Sequence, residues 1–152
     1  MKNLSIFSLI AAVLLFSFTT KTPNGTEDGD KGIKWHTLEE ALKLSKEENK
    51  PIFIDVYTDW CGWCKRMDKA TFSEASVIDY VNANYIAVKL NAESNETVTF
   101  KGQELNYRQI SGQVFGVRGY PTIVLMDTKQ ESKAVPGYKD PSAFKAMLSD
   151  FK

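Results

Sequence analysis

Two cysteines are spaced for reversible disulfide chemistry. In this chain of 152 residues Cys61 and Cys64 are separated by Gly62 and Trp63. They follow an apolar segment and lie at the start of a predicted helix. Free amides and the helix dipole at such a position stabilise an anion. Thiolate is the form that attacks disulfides. The spacing therefore predicts Cys61 as the nucleophile and Cys64, deeper in the first turn, as the shielded thiol that resolves the mixed disulfide.

Other uses of the cysteine pair fit less well. A structural zinc site needs four ligands, and two cysteines with the single histidine, His36, supply three. Attachment of c-type haem requires a histidine directly after the second cysteine, where Lys65 stands. A purely structural disulfide stays open, although so short a loop adds little stability. We expect no metal and no other cofactor, because the dithiol is itself the redox group.

The residues before the cysteines predict a helix followed by a strand. Thr37 and Glu40 form a capping box, which predicts that a helix begins there. Residues 49–51 end that helix. Residues 52–57 are apolar, β-branched or aromatic, which indicates a buried strand. The acid Asp55 interrupts this strand.

The elements after the cysteines alternate between strands and helices. Ser73 is a candidate cap for a second helix after the one that opens at Cys61. The remaining predictions are a strand over 86–91, a loop or hairpin over 93–102, a helix over 105–115, a strand over 122–126, an edge strand over 132–135 and a last helix after Asp140-Pro141. This order predicts an α/β fold with a central mixed sheet flanked by helices.

Composition excludes several classes of protein. The chain has 19 basic and 19 acidic residues, a net charge of zero, so nothing indicates a nucleic-acid partner. Hydrophobic residues make up 43% and charged residues 25%, the values of an ordinary globular domain. Two cysteines are too few for a small domain held together by disulfides.

The amino terminus predicts export. Residues 1–20 combine Lys2 with an apolar run that is short for a membrane span, as in a secretory signal peptide. Residues 21–33 are rich in Gly and Asp and predict a flexible linker, which leaves 34–152 as the domain. An uncleaved membrane anchor is the alternative. We expect a periplasmic or secreted bacterial protein, in a compartment where disulfides persist.

Three segments carry a family resemblance. Residues 53–65 (FIDVYTDWCGWCK), 88–91 (VKLN) and 115–122 (FGVRGYPT) resemble the thioredoxin-fold superfamily, especially its exported thioredoxin-like group. The resemblance runs from about Trp35 to Lys152. It implies a thioredoxin-like fold with an extra N-terminal helix, such as one over 35–49.

The resemblance also implies roles for an acid and a lysine. Asp55 matches the buried acid beneath the cysteine pair, where burial raises the pKa of a carboxyl and lets it exchange a proton with Cys64. Lys89 matches the lysine beside that acid. The alternatives are an exposed strand-edge carboxylate for Asp55 and a solvated strand lysine for Lys89.

A proline and three aromatic residues complete the implied site. Pro121 matches the family's cis-proline, and Tyr120 before it would offer its backbone to an extended substrate segment. Trp63 is expected at the surface in contact with substrate, and Trp60 is expected to pack beside the motif. The alternatives are an ordinary trans turn for Pro121 and incidental packing for Trp63.

Two departures limit what the resemblance implies. Trp63 stands where thioredoxin has proline, so the strongly reducing potential of thioredoxin does not carry over. The segment 93–114 is longer than the corresponding segment of the minimal fold.

We expect a thiol-disulfide oxidoreductase that reduces protein disulfides, with a disulfide oxidase or isomerase and a non-catalytic binding module as alternatives. Its expected partners are protein thiols or disulfides and a protein electron donor, in Gram-negative relatives often a membrane thiol transducer.

Overall fold

A computed structural model describes residues 32–151. The predicted signal peptide and nearly all of the predicted linker lie outside these residues. Ile33, assigned to the end of the linker, is buried in the core, so the packed region extends at least one residue before 34. No helix within 32–151 has the length and apolar character to cross a membrane.

The described residues form a central sheet with helices on both faces. In chain order the elements are β1 (Trp35–His36), α1 (Leu38–Glu48), β2 (Ile52–Tyr57), α2 (Gly62–Ala70), α3 (Ala75–Asn84), β3 (Ile86–Asn91), β4 (Thr97–Phe100), β5 (Gln103–Asn106), α4 (Tyr107–Gln109), a π-helical turn (Ile110–Val114), β6 (Thr122–Met126), β7 (Ser132–Pro136) and α5 (Pro141–Phe151). Five of these strands pair in the order β1-β3-β2-β6-β7. β1, β2 and β3 run parallel, β6 pairs antiparallel with β2, and β7 pairs antiparallel with β6, which confirms the mixed sheet.

Alternation along β2 sorts the core into two layers. Ile54 and Val56 pack on one face with α1 and the β4–β5 hairpin. Phe53 packs on the other face with Met67 of α2 and with residues of α3 and α5. Asp55 lies two residues after Phe53, so its side chain is on the face that α2 covers.

Helix α1 forms as its ends predict. The Glu40 amide donates to Thr37 Oγ1 at 3.2 Å, and the Thr37 amide donates to Glu40 Oε2 at 3.0 Å. Asn49 follows the helix in the left-handed region, with φ of 51°. The helix begins at Leu38, however, because Trp35–His36 pair with β3 as a short strand.

Two predicted helix boundaries are wrong. Ser73 does not cap α3: its hydroxyl donates back to the Lys69 carbonyl at 2.6 Å, and the helix begins at Ala75. The predicted helix over 105–115 begins later, because residues 103–106 form the second strand of the hairpin. Asn106 and Gln109 then form a capping box for α4, which continues into the π-helical turn.

Candidate active site

The cysteine pair forms a disulfide at the start of α2. Cys61 is the N-cap residue and is joined to Cys64, with an S–S distance of 2.03 Å. The Cys64 amide donates to Cys61 Sγ at 3.0 Å. The Cys61 sulfur is therefore the acceptor that satisfies a free amide of the first turn, and the same contact would stabilise a thiolate there.

Both cysteines are shielded in the disulfide form. Cys61 is 4% exposed and Cys64 is 2% exposed. Residue exposure thus does not distinguish the two, although the sequence predicts Cys64 as the more shielded. The asymmetry lies in the hydrogen bond that Cys61 Sγ accepts.

Asp55 is a buried acid without a hydrogen-bond partner among residues 32–151. It is 1% exposed, which excludes the alternative of an exposed strand-edge carboxylate. Neither carboxyl oxygen accepts a hydrogen bond from the described residues. Burial raises the pKa of Asp55 to about 7, and the nearby Lys89 ammonium limits the rise. The group can therefore gain or lose a proton near neutral pH.

Lys89 links Asp55 to a second acid, Asp68. Lys89 Nζ lies 3.4 Å from Asp55 Oδ2 and forms a closer ion pair with Asp68 Oδ1. The side chain is about a quarter exposed and lies over the ring of Tyr57, so it is not a freely solvated strand lysine. Asp68 follows Cys64 by four residues, which places both on one side of α2. We call Asp55, Lys89 and Asp68 the Asp55 cluster. The spacing from Cys64 was the available signal for Asp68, which the sequence reading missed.

The loop before β6 contains a cis peptide bond between Tyr120 and Pro121, the geometry that the resemblance implies. The Thr122 hydroxyl donates to the Gly119 carbonyl at 2.7 Å, and the Gly137 amide donates to the Pro121 carbonyl at 2.8 Å. These bonds hold the loop on both sides of the proline. The backbone of Tyr120 makes no backbone hydrogen bond within 32–151, so it is available to an added strand.

Trp60 is exposed, contrary to the prediction that it packs beside the motif. The residue is 67% exposed. The ring meets Tyr120 edge to face at 5.8 Å, and its indole N–H donates to Glu93 Oε1 at 3.2 Å. Trp60 lies in the turn before α2. Contacts with surface residues hold it there.

Trp63 is exposed as predicted, with 53% exposure. Its ring lies 5.6 Å from the ring of Tyr138, in the segment between β7 and α5. Trp60, Trp63, Tyr120 and Tyr138 together form what we call the aromatic rim of the disulfide. The sequence reading missed Tyr138, and no local spacing connects it with residue 63.

The chemistry available at this site is thiol-disulfide exchange. The described residues contain no group of three or more His, Cys, Asp or Glu side chains that could hold a metal ion. The disulfide opens the helix that covers the Asp55 face of the sheet, and the exposed rings of Trp60 and Trp63 adjoin the two cysteines in the chain.

Comparisons with known proteins agree with this chemistry. The chain is 28% identical to the thiol:disulfide interchange protein DsbD of Pseudoalteromonas atlantica over 112 residues, 72% of this chain but only 17% of that protein. A solution structure of a proposed disulphide-isomerase from Bacteroides thetaiotaomicron is 28% identical, with a TM-score of 0.62, and the match covers 80% of this chain and 95% of that one. A thioredoxin from Thermus thermophilus shares the fold at 16% identity, with a TM-score of 0.63 over 79% of this chain and 87% of that chain.

A family model matches most of the chain. The family model described as a thioredoxin-like domain matches residues 38–152, which contain the disulfide, the Asp55 cluster and the aromatic rim. This chain therefore belongs to the thioredoxin-like domain family.

Proposed function

We propose that the protein reduces disulfides in other proteins through a dithiol-disulfide cycle of Cys61 and Cys64. The observation that carries the proposal is the disulfide at the N-cap of α2, on the helix that covers Asp55. The pKa of this buried acid is raised to about 7. Reversible formation and reduction of a disulfide benefit from a nearby group that exchanges protons near neutral pH. A purely structural disulfide does not require one.

The first half of the cycle belongs to Cys61. In the reduced protein its thiolate attacks one sulfur of the substrate disulfide, and the substrate S–S bond breaks. The other substrate sulfur leaves as a thiolate and takes up a proton. The Cys64 amide, which donates to Cys61 Sγ, favours the thiolate that starts this step.

The second half belongs to Cys64 and Asp55. The Asp55 carboxylate accepts the proton of the Cys64 thiol, directly or through water, and Cys64 attacks Cys61 Sγ. The mixed disulfide breaks, and the remaining substrate sulfur leaves as a thiol once protonated. The substrate has gained two electrons, and the protein has lost two in forming the Cys61–Cys64 disulfide. Lys89 and Asp68 set the charge around Asp55 during this transfer.

Substrate binding is assigned to the rim and to the cis-proline loop. Tyr120 offers its backbone groups, which make no backbone hydrogen bond among residues 32–151, to an extended segment beside the buried Pro121. Trp63 provides an exposed aromatic surface next to Cys64. Backbone pairing accepts many sequences, so this arrangement suits a protein with several substrates.

Export and an external electron source complete the proposal. Residues 1–20 serve as a signal peptide, and the domain works in the periplasm or outside a bacterial cell. A protein donor must return two electrons to the disulfide, and our candidate for that task is a membrane thiol transducer.

A disulfide isomerase is the second candidate. The relative from Bacteroides thetaiotaomicron, described as a proposed disulphide-isomerase, favours it. Trp63 also replaces the proline found in thioredoxin, and the residues between the cysteines tune the redox potential.

The test is the reduction potential of the Cys61–Cys64 pair, measured by equilibration with defined thiol buffers and counting of alkylated thiols. A value near about −270 mV, that of a thioredoxin-like reductant, would support the proposed reductase. A value of roughly −180 to −120 mV would instead support the isomerase or oxidase. A pair that does not equilibrate would exclude both redox functions and leave a binding module.

A further inference from the structure

Arg66 is an exposed cation with no acidic partner among the described residues. Its guanidinium carbon lies 5.2 Å from the ring centre of Trp63 and 5.7 Å from that of Tyr138. No ion pair within 32–151 involves it, and its N–H groups donate no hydrogen bond there. Arg108, by contrast, donates to the Glu93 carbonyl.

The two rings restrict Arg66 without satisfying its donors. A guanidinium that stacks on aromatic faces keeps its N–H donors, which lie in the plane, free to bind another group. Because the rings already limit its rotamers, little conformational entropy is lost when a ligand binds. The group is therefore preorganised for a planar acceptor with two oxygens.

The position of Arg66 connects it with the redox pair. Gly62, Trp63 and Arg66 line a shallow depression of about 210 Å³, and Gly62 directly follows Cys61. Lys65 and Lys69 on the same helix are also exposed and add positive charge.

The nearest acid on α2 does not balance this charge. Asp68 forms its ion pair with Lys89, which also lies 3.4 Å from Asp55. The depression is thus the positive side of the entrance to the disulfide, and its size suits a side chain.

We propose that Arg66, held beside the rings of Trp63 and Tyr138, binds a carboxylate of the polypeptide whose cysteine is exchanged. The carboxylate belongs to an Asp or Glu within two residues of that cysteine. The planar fork of arginine matches a carboxylate in two parallel hydrogen bonds. This inference deepens the proposed function and rests on it, because it names a class of polypeptide substrate: those with an acidic residue beside the reactive cysteine.

The test uses matched synthetic peptides, each closed by one internal disulfide. Glu or Gln occupies in turn each of the four positions within two residues of the first cysteine. The readout is kcat and KM for reduction by the full chain at low ionic strength. At one or more positions we expect Glu to raise kcat/KM by about threefold to tenfold over Gln, mainly through KM, the range of a charged contact that remains partly solvated.

Three variants assign that preference. Arg66→Gln should bring the Glu-to-Gln ratio close to one. Arg66→Lys should retain only part of the ratio, because it keeps the charge but loses the fork. Lys69→Gln is the matched control: it removes one positive charge from the same helix and should keep the ratio. Thermal unfolding of each variant verifies that the exposed substitutions leave the fold intact.

A binding measurement separates this inference from the proposed function. The same peptides, with serine in place of both cysteines, are titrated into the protein by calorimetry. If the serine peptides show a preference for Glu that depends on Arg66 while the matched disulfide peptides are not reduced, the carboxylate site is supported and the reductase is refuted. A preference that survives Arg66→Gln, one that Lys69→Gln abolishes equally, or no preference at any position overturns the carboxylate site.

Discussion

The two sides of the disulfide differ in what surrounds the sulfurs. On the sheet side the Asp55 cluster joins a fully buried acid to a lysine and a second acid that reach solvent in part. On the solvent side the aromatic rim exposes more than half of Trp60 and of Trp63. Under the proposed function, the buried charge lies where protons are transferred and the exposed apolar surface lies where a polypeptide binds. The comparison indicates that reaction rate and substrate affinity can be changed separately.

Replacing the nucleophile should have the largest effect, because it removes the Cys61 thiol that carries out the exchange. Cys61→Ala should lower turnover of a protein disulfide by about 10³-fold or more, since no covalent path remains. Cys64→Ala should instead accumulate a mixed disulfide on Cys61, visible as a covalent adduct by mass spectrometry. Residual turnover of Cys61→Ala near the wild-type rate would contradict the assigned roles.

The sheet side alone is changed by Asp55→Asn. We expect turnover at pH 7 to fall by about 10²-fold, because the proton acceptor for Cys64 is lost, while KM stays the same. Asp59→Asn, an exposed acid in the neighbouring turn, serves as the control. An equal loss in both variants would show that general charge, rather than the buried acid, matters.

The same variant should make the oxidised protein more stable at high pH. The folded-state pKa of about 7 lies above the ordinary value of 3.8, so the folded form favours the protonated acid. The stability that this preference contributes is full below about pH 4 and is lost as pH rises through 7. At pH 8 Asp55→Asn should therefore exceed wild type by up to about 4 kcal/mol in free energy of unfolding. Urea titrations at pH 4 and pH 8 measure the gap, and equal gaps would contradict the raised pKa.

The solvent side alone is changed by Trp63→Ala. KM for a protein disulfide should rise by about threefold to tenfold as a contact surface is lost, with kcat nearly constant. The free energy of unfolding should change by no more than about 0.5 kcal/mol, because the ring is largely exposed. A fall in kcat without a rise in KM would place Trp63 in the chemical step and break the comparison.

The smallest effect is expected from Asp68→Asn, which alters the Asp55 cluster without touching the buried acid. Removal of the Asp68 charge takes away one cause of the raised pKa of Asp55 and leaves Lys89 to that acid alone. The pKa of Asp55 should fall, so the pH profile of turnover should move to lower pH by less than about one unit. A profile that moves to higher pH would show that Asp68 acts in another way.

The sequence predicts the sheet side of the disulfide better than the solvent side, because the residues of the sheet side are closer together in the chain or lie on strands with a clear pattern. The acid at Asp55 and the cysteines lie within ten residues, and the alternation of β2 alone places Asp55 on the same face as Phe53. Lys89 depends on the neighbouring strand, which the apolar spacing of 86–91 indicates. The strands of the central sheet and the edge strand were predictable because each shows a local pattern, whereas the second strand of the hairpin overlaps the predicted helix over 105–115.

The rim was harder to predict because its contacts join distant segments. Arg66 and Trp63 meet Tyr138 more than seventy residues further along the chain, and no spacing rule relates these positions. Trp60 was expected to pack because large rings usually do, yet the turn before α2 directs it to Tyr120 at the surface. Ser73 does not cap α3 because the helix begins one residue later than that role needs, with Glu74 at the N-cap, and the Ser73 hydroxyl donates to the carbonyl of Lys69.

The exposure of Trp60 and Trp63 beside the two sulfurs also gives the protein an internal optical probe. A disulfide quenches the emission of a nearby indole, so reduction should brighten these two rings. The third tryptophan, Trp35, lies against Phe53 and Phe72 and should contribute a steadier background. Electron flow through the Cys61–Cys64 pair can therefore be followed in real time by intrinsic fluorescence, with no added dye.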